Sequence, residues 1–190
     1  TMAFDMIVNA FMAVVLALVG IGLYILMRLR DVAFSVGSVV ALAHDALLIM
    51  GVFSLCYTFM PFSLEVDQQF IAAILTIIGY SINDKVVIFD RIREYRGLYP
   101  DRDQHSVFND AISSTLSRTF STSMSVLVVL VVIFFFGGEV IRGFIFAMLI
   151  GVIVGTYSSV FVASPTAFMV LGKEAKKEAK KEAKQPAIAK

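Results

Sequence analysis

The chain has 190 residues, 58% of them hydrophobic and 16% charged, with a mean hydropathy of +0.85 and a formal net charge of +1. A soluble domain carries about a quarter charged residues, so this composition belongs to a membrane protein and argues against a soluble enzyme. The near-neutral balance gives no bulk electrostatic case for nucleic acid, the single cysteine, Cys56, forbids an intrachain disulfide, and the two histidines, His44 and His105, are too few and too far apart for metal catalysis.

A bilayer core of about 30 Å is crossed by about 20 apolar residues in a helix. The chain offers five such stretches, over residues 4–27, 32–56, 69–89, 112–136 and 143–171. The expected fold class is all-α: a polytopic membrane helix bundle of five transmembrane helices filling residues 1–172, followed by a Lys/Glu/Ala-rich tail over 173–190. The first span ends at Arg28 and Arg30. The second carries Ala33, Gly37 and Ala41 at four-residue spacing, and the next member of that row is Asp45, so a packed helix face leads to a carboxylate near the membrane midplane.

The third span holds Asp84 and Lys85. Centred near Tyr80, it places Asp84 about 6 Å from the midplane on the side of the 90–111 connection. Lys85 has a long stem, and it is expected to snorkel to that interface as an anchor. His44 reads as a packing residue. The fourth span bears a polar stripe, Ser114, Thr115, Arg118, Ser121, Thr122 and Ser125, at three- and four-residue spacing; such a face is expected to look into the bundle and not at lipid. Arg118 falls about 9 Å from the midplane, on the same side as Asp84. The last span carries an unbroken ribbon of small residues, Gly143, Ala147, Gly151, Gly155, Ser159, Ala163 and Ala167, that permits close helix contact, so Gly151, Gly155 and Ser159 are expected packing positions, and Gly151 and Gly155 are expected to tolerate nothing larger than Ala or Ser.

Basic residues fix the expected orientation. Thirteen of the sixteen Lys and Arg lie in the 28–31 turn, the 90–111 connection and the tail, against Arg142 alone in the other two connections. By the positive-inside rule the 90–111 connection and Lys190 are cytoplasmic and Thr1 is outside. A chain that starts outside with neither an initiating Met nor a signal peptide is expected to lack upstream sequence.

Asp45, Asp84 and Arg118 are intramembrane charges, each costing about 2.5–3.5 kcal/mol on insertion scales, and such residues mark ion pathways or relays. Desolvation favours a protonated carboxyl and a nearby guanidinium favours the ionised one, so motion of Arg118 relative to Asp84 would switch the acid between proton uptake and release. Arg118 keeps its own proton and serves as a movable counter-ion.

The string Gly79-Tyr80-Ser81-Ile82-Asn83-Asp84, followed by Phe89-Asp90-Arg91-Ile92-Arg93-Glu94, resembles the central signature of the SecD/SecF family of bacterial protein-export membrane subunits, which belongs with the resistance-nodulation-division (RND) transporters. Ala43-His44-Asp45, Thr115-Leu116-Ser117-Arg118-Thr119, Phe136-Gly137-Gly138 and Gly155-Thr156-Tyr157-Ser158-Ser159 match in the expected order. The resemblance implies the last five of six SecF spans in an RND/SecF-type bundle of the bacterial inner membrane. It also implies use of the proton-motive force to assist translocation. The implied proton-coupling residues are Asp84, Arg118 and Asp45, with Ser81, Asn83, Thr115, Thr119 and Thr122 as a supporting polar face. The implied partners are SecD, the SecY/SecE/SecG channel with its SecA motor, the secreted polypeptide and membrane lipids; no cofactor is implied. One departure stands out: the position after Asp84 usually carries Thr or Ser in this family, and here it is Lys85. The alternatives are half of another RND-type exporter, or a non-transporting scaffold in which the charges are static glue. Neither a nucleophile–base pair nor a phosphate loop supports an enzyme.

Overall fold

The computed structural model describes residues 2–62 and 64–182, with side chains described for residues 8–62 and 64–173. The helices are α1 (Met2–Leu29), α2 (Val32–Cys56), α3 (Gln68–Leu98), α4 (Gln104–Phe136), α5 (Arg142–Ser158) and α6 (Ser164–Glu182). A π-helical turn, Ser159–Ala163, joins α5 to α6, so Arg142–Lys173 forms one candidate span, and there are five such spans among the described residues. The all-α class and the five long apolar helices match the sequence reading.

Three helices start on an aspartate cap. Asp31 accepts from the Ala33 N–H at 2.9 Å, Asp67 from Phe70 at 2.9 Å and Asp103 from Ser106 at 3.2 Å. Each such cap contributes about 1 kcal/mol by satisfying an otherwise orphaned donor. The link from α1 to α2 is so short that Arg30 takes a left-handed conformation, φ 51°.

The 90–111 connection is helical for most of its length. α3 continues to Leu98 and α4 begins at Gln104, leaving a short turn through Pro100. Hydropathy locates the apolar part of a helix and not its end, so the polar extensions of α3 and α4 escape a reading based on bilayer crossing. They are held by the Arg28–Asp90 ion pair at 2.7 Å, by Arg96–Asp31 at 3.4 Å, and by Arg91 donating to Ser114 at 3.1 Å. The tail, expected from residue 173, begins as a continuation of α6 to Glu182; residues 183–190 lie outside the described part.

α3 is the most buried of the five spans and α1 the least. Two apolar clusters flank it. One gathers Phe34, Phe89 and Ile92 with Ala163 and Ala167; the other gathers Ile49, Phe53, Phe70 and Ile77 with Ala147. Ring pairs mark their centres, Phe34 on Phe89 at 4.9 Å and Phe53 on Phe70 at 4.3 Å between centroids. Along α3, the gap between the two clusters is the stretch that carries Ser81, Asp84 and Lys85.

The small-residue ribbon of the last span lies against this chain's own helices. A Cβ on Gly151 would overlap the Ile77 side chain, and one on Gly155 would fall 2.7 Å from Ser81 Oγ. Gly37 on α2 meets the last span in turn, its missing Cβ standing 2.7 Å from the Ala163 carbonyl. The tolerance expected for Ala or Ser at Gly151 and Gly155 is therefore too generous, because the neighbours already occupy the volume of a single Cβ.

Candidate functional site

Asp45 on α2 is fully buried, and α3 supplies it with two donors. Its Oδ2 accepts from Ser81 Oγ at 2.9 Å and from Lys85 Nζ at 2.9 Å, and its Oδ1 lies 3.4 Å from His44 Nδ1. Lys85 is 0% exposed. Its ammonium also donates to Ser81 Oγ at 2.5 Å and to Ser158 Oγ at 3.1 Å. An ammonium has three N–H donors, and here each finds one oxygen. Both serines pass their own proton onward, Ser81 to Asp45 and Ser158 to the Gly155 carbonyl at 3.2 Å.

Lys85 thus does not snorkel. Helix geometry does separate it from Asp84, since adjacent residues point to different faces. The face it takes leads inward to α2, where the carboxylate of Asp45 is within reach, and a paired interior charge is stable where an unpaired one is not. The i,i+4 spacing of Ser81 and Lys85 was the available signal, because it places both on one side of α3. Ser158 carried no such mark. It closes α5 where the helix widens into the π-turn, a departure from α-geometry that recurs at functional sites. The π-turn is pinned by Ser159 Oγ donating to the Gly155 carbonyl at 2.7 Å and Ser164 Oγ to the Ser159 carbonyl at 3.0 Å.

Asp84 occupies a different face of α3, about 100° round the helix from Lys85. It is 5% exposed, and its Oδ2 is buried without a hydrogen-bond partner. Thr119 Oγ1 on α4 is the other buried side-chain atom in that condition among the described residues. The register of the α3–α4 hairpin relates them. Tyr80 OH meets Ser123 Oγ at 3.5 Å, and Arg91 meets Ser114, so Asp84, one turn after Tyr80, falls level with Thr119, one turn before Ser123. Ser123 in turn shares a 2.6 Å hydrogen bond with Thr156 on α5.

The two expected partners, Asp84 and Arg118, share a level but not a contact. Arg118 lies on the exposed side of α4 and makes no ion pair with Asp84 in this conformation. The expected polar stripe of α4 divides in the same way. Of its members only Thr115 is buried, while Ser114, Ser121, Thr122 and Ser125 share the exposed surface with Arg118; the buried hydroxyls of Thr119 and Ser123 lie outside that stripe. Of the expected supporting residues, Ser81, Thr115 and Thr119 face the interior; Asn83 and Thr122 do not, and Thr122 Oγ1 bonds the carbonyl of Arg118 at 2.9 Å. Asp45, expected beside Asp84 as a coupling acid, is committed to Lys85. No group of three or more His, Cys, Asp or Glu side chains converges as metal ligands among the described residues.

The chain as a whole is similar to known proteins. The family model for the C-terminal part of the protein export membrane proteins SecD/SecF matches residues 1–173. The chain belongs to the SecD/SecF family. The protein translocase subunit SecF of Rhodothermus marinus is 53% identical over 159 residues, which cover 84% of this chain and 51% of that relative. SecF of Cereibacter sphaeroides is 46% identical over 159 residues, 84% of this chain and 47% of the relative. The chain therefore spans about half the length of these SecF relatives. A crystal structure of SecDF in a super-membrane-facing form superposes with a TM-score of 0.80 at 40% identity, covering 93% of this chain and 23% of that one.

Proposed function

We propose that this chain forms the membrane part of a SecF subunit that uses the proton-motive force to assist protein translocation across the bacterial cytoplasmic membrane, with Asp84 as the proton-binding group and Arg118 as its counter-charge. The observation that carries this reading is the Asp84 carboxyl, buried level with Thr119 and with one oxygen unbonded. A buried carboxyl without a partner is costly when ionised and readily held when protonated. Arg118 stands at its level on α4, so a rotation of that helix that turns the guanidinium inward would bring it to the carboxyl and favour release of the proton.

The partner in this reading is SecD, separate or on the same chain. The exposed side of α4 supports it: Arg118, Ser121, Thr122 and Ser125 lie within a membrane span, and polar side chains at such depth face protein or a water-filled cavity rather than lipid. Further partners are the SecY/SecE/SecG channel, the SecA motor and the secreted polypeptide. Thr1 outside and Lys190 inside is the orientation the basic residues favour.

Export of a secreted reporter in cells with each variant as the only copy tests the reading. Asp84→Asn, a fixed neutral mimic, should be expressed and assembled but should export no better than a strain lacking the protein. Arg118→Lys keeps charge without the planar fork and should export partially. Wild-type export by Asp84→Asn at normal expression would leave the charges as static glue in a scaffold.

A further inference from the structure

We infer that the ammonium of Lys85 occupies a monovalent-cation site formed by Asp45, Ser81 and Ser158, and that Lys85 is the residue that closes this site to free alkali ions. The proposal deepens the ion-coupling reading of the bundle by fixing which ions the chain admits, but it concerns binding alone, and its test requires no transport.

The site has the character of an ion cage rather than of a simple pair. Three oxygens from three elements converge on Nζ: the Asp45 carboxylate from α2 at 2.9 Å, the Ser81 hydroxyl from α3 at 2.5 Å and the Ser158 hydroxyl from the end of α5 at 3.1 Å. All three residues are at most 1% exposed, as is Lys85 itself. Such a set of hard oxygen donors, one of them charged, is what replaces the hydration shell of a desolvated alkali cation. The net charge of the cage is that of one carboxylate, so it balances one positive charge and no more. Lys85 provides that charge on a tether, and its three donors use all three oxygens.

The surrounding structure holds the cage whether or not Lys85 fills it. Ser81 is pressed against Gly155, where a Cβ would fall 2.7 Å from its Oγ, and Ser158 is anchored to the Gly155 carbonyl at the start of the π-turn. The α2 wall is fixed by the contact of Gly37 with Ala163 and Ala167. Removing the ammonium therefore leaves an oxygen-lined, singly charged hole. A free cation that enters it should stabilise the fold in proportion to the logarithm of its concentration above its dissociation constant.

Thermal unfolding of the full chain in detergent, in potassium, sodium or choline chloride at equal ionic strength, decides the matter. The wild-type midpoint should be the same in all three salts. Lys85→Thr should melt several degrees lower in choline, and its midpoint should rise with the logarithm of the potassium or sodium concentration, because Thr adds a hydroxyl and leaves room. Lys85→Met, which fills the space with an apolar stem, and the double variant Asp45→Asn/Lys85→Thr, which removes the charge of the cage, should not respond to the choice of salt. A flat response of Lys85→Thr, its failure to fold in any of the salts, or an equal response in the double variant would overturn the proposal. A wild-type chain as cation-dependent as Lys85→Thr would show that Lys85 closes nothing.

Discussion

Lys85 and Asp45 each stabilise the fold only in the presence of the other. Removing one partner of a buried ion pair costs about 3–5 kcal/mol, because the remaining charge is left desolvated, whereas replacing both with neutral groups of similar volume is close to neutral. Asp45→Asn and Lys85→Met are accordingly expected to destabilise the bundle by about 3–5 kcal/mol each, and the double variant by much less than their sum. Unfolding of the four proteins in one detergent by a common denaturant provides the check; additive losses would mean that the two charges do not depend on each other. The sequence made Asp45 and Asp84 visible as intramembrane acids, Asp45 because it ends a row of small residues and Asp84 because it falls at depth within an apolar span. It did not reveal the partner of either. A lysine's stem reaches either the interface or a neighbouring helix, and only the placement of α2 beside α3 decides which. Arg118 was misread for a related reason: a polar stripe shows that a helix face avoids lipid, and the face that avoids lipid here is divided between the bundle interior and an exposed surface.

At the scale of elements, the last span is held by contacts too close for a side chain. Gly151 faces Ile77 and Gly155 faces Ser81, so the two glycines set the distance between α5 and α3 and, through Ser81, the shape of the Asp45 cage. Overpacking of a tight contact costs about 1–3 kcal/mol, and this is the expected loss for Gly151→Ala; Gly151→Leu should prevent a stable bundle. The yield of monodisperse protein in detergent reads both variants, and normal yield of Gly151→Leu would mean that α5 does not pack on α3. The ribbon was legible because four-residue spacing of small residues has few other physical causes in a membrane helix. The π-turn was not, since nothing in Ser159–Ala163 forbids an ordinary α-helix, and its extra residue is accommodated by hydroxyl-to-carbonyl bonds that depend on the finished fold. The extensions of α3 to Leu98 and of α4 from Gln104 were hidden by their polar composition, although Pro100 already marked where the chain must turn.

At the scale of the whole molecule, the five spans and their order follow from hydropathy alone, while the division of labour among them follows from packing. α3 is central and bears charge on two sides: Lys85 toward α2, where it is neutralised, and Asp84 toward α4, where one oxygen remains unbonded. In the proposed function the first side is static, and the second is the one that would take up a proton. Orientation in the membrane should follow the basic residues. Single cysteines introduced at positions 65 and 96, with Cys56 replaced by Ser, are expected to react with an impermeant thiol reagent from the outside and from the inside respectively; labelling of position 96 from the outside would reverse the topology and the direction of proton entry.

The central claim is that the protonation of Asp84 drives the cycle. It is tested most directly in inverted membrane vesicles that hold the complete translocation machinery, by measuring late-stage translocation with and without an imposed proton gradient. Wild-type protein should translocate faster when the gradient is present, and Asp84→Asn should run at the ungraded rate under both conditions. An equal gradient-dependent gain in Asp84→Asn and wild type would contradict the account.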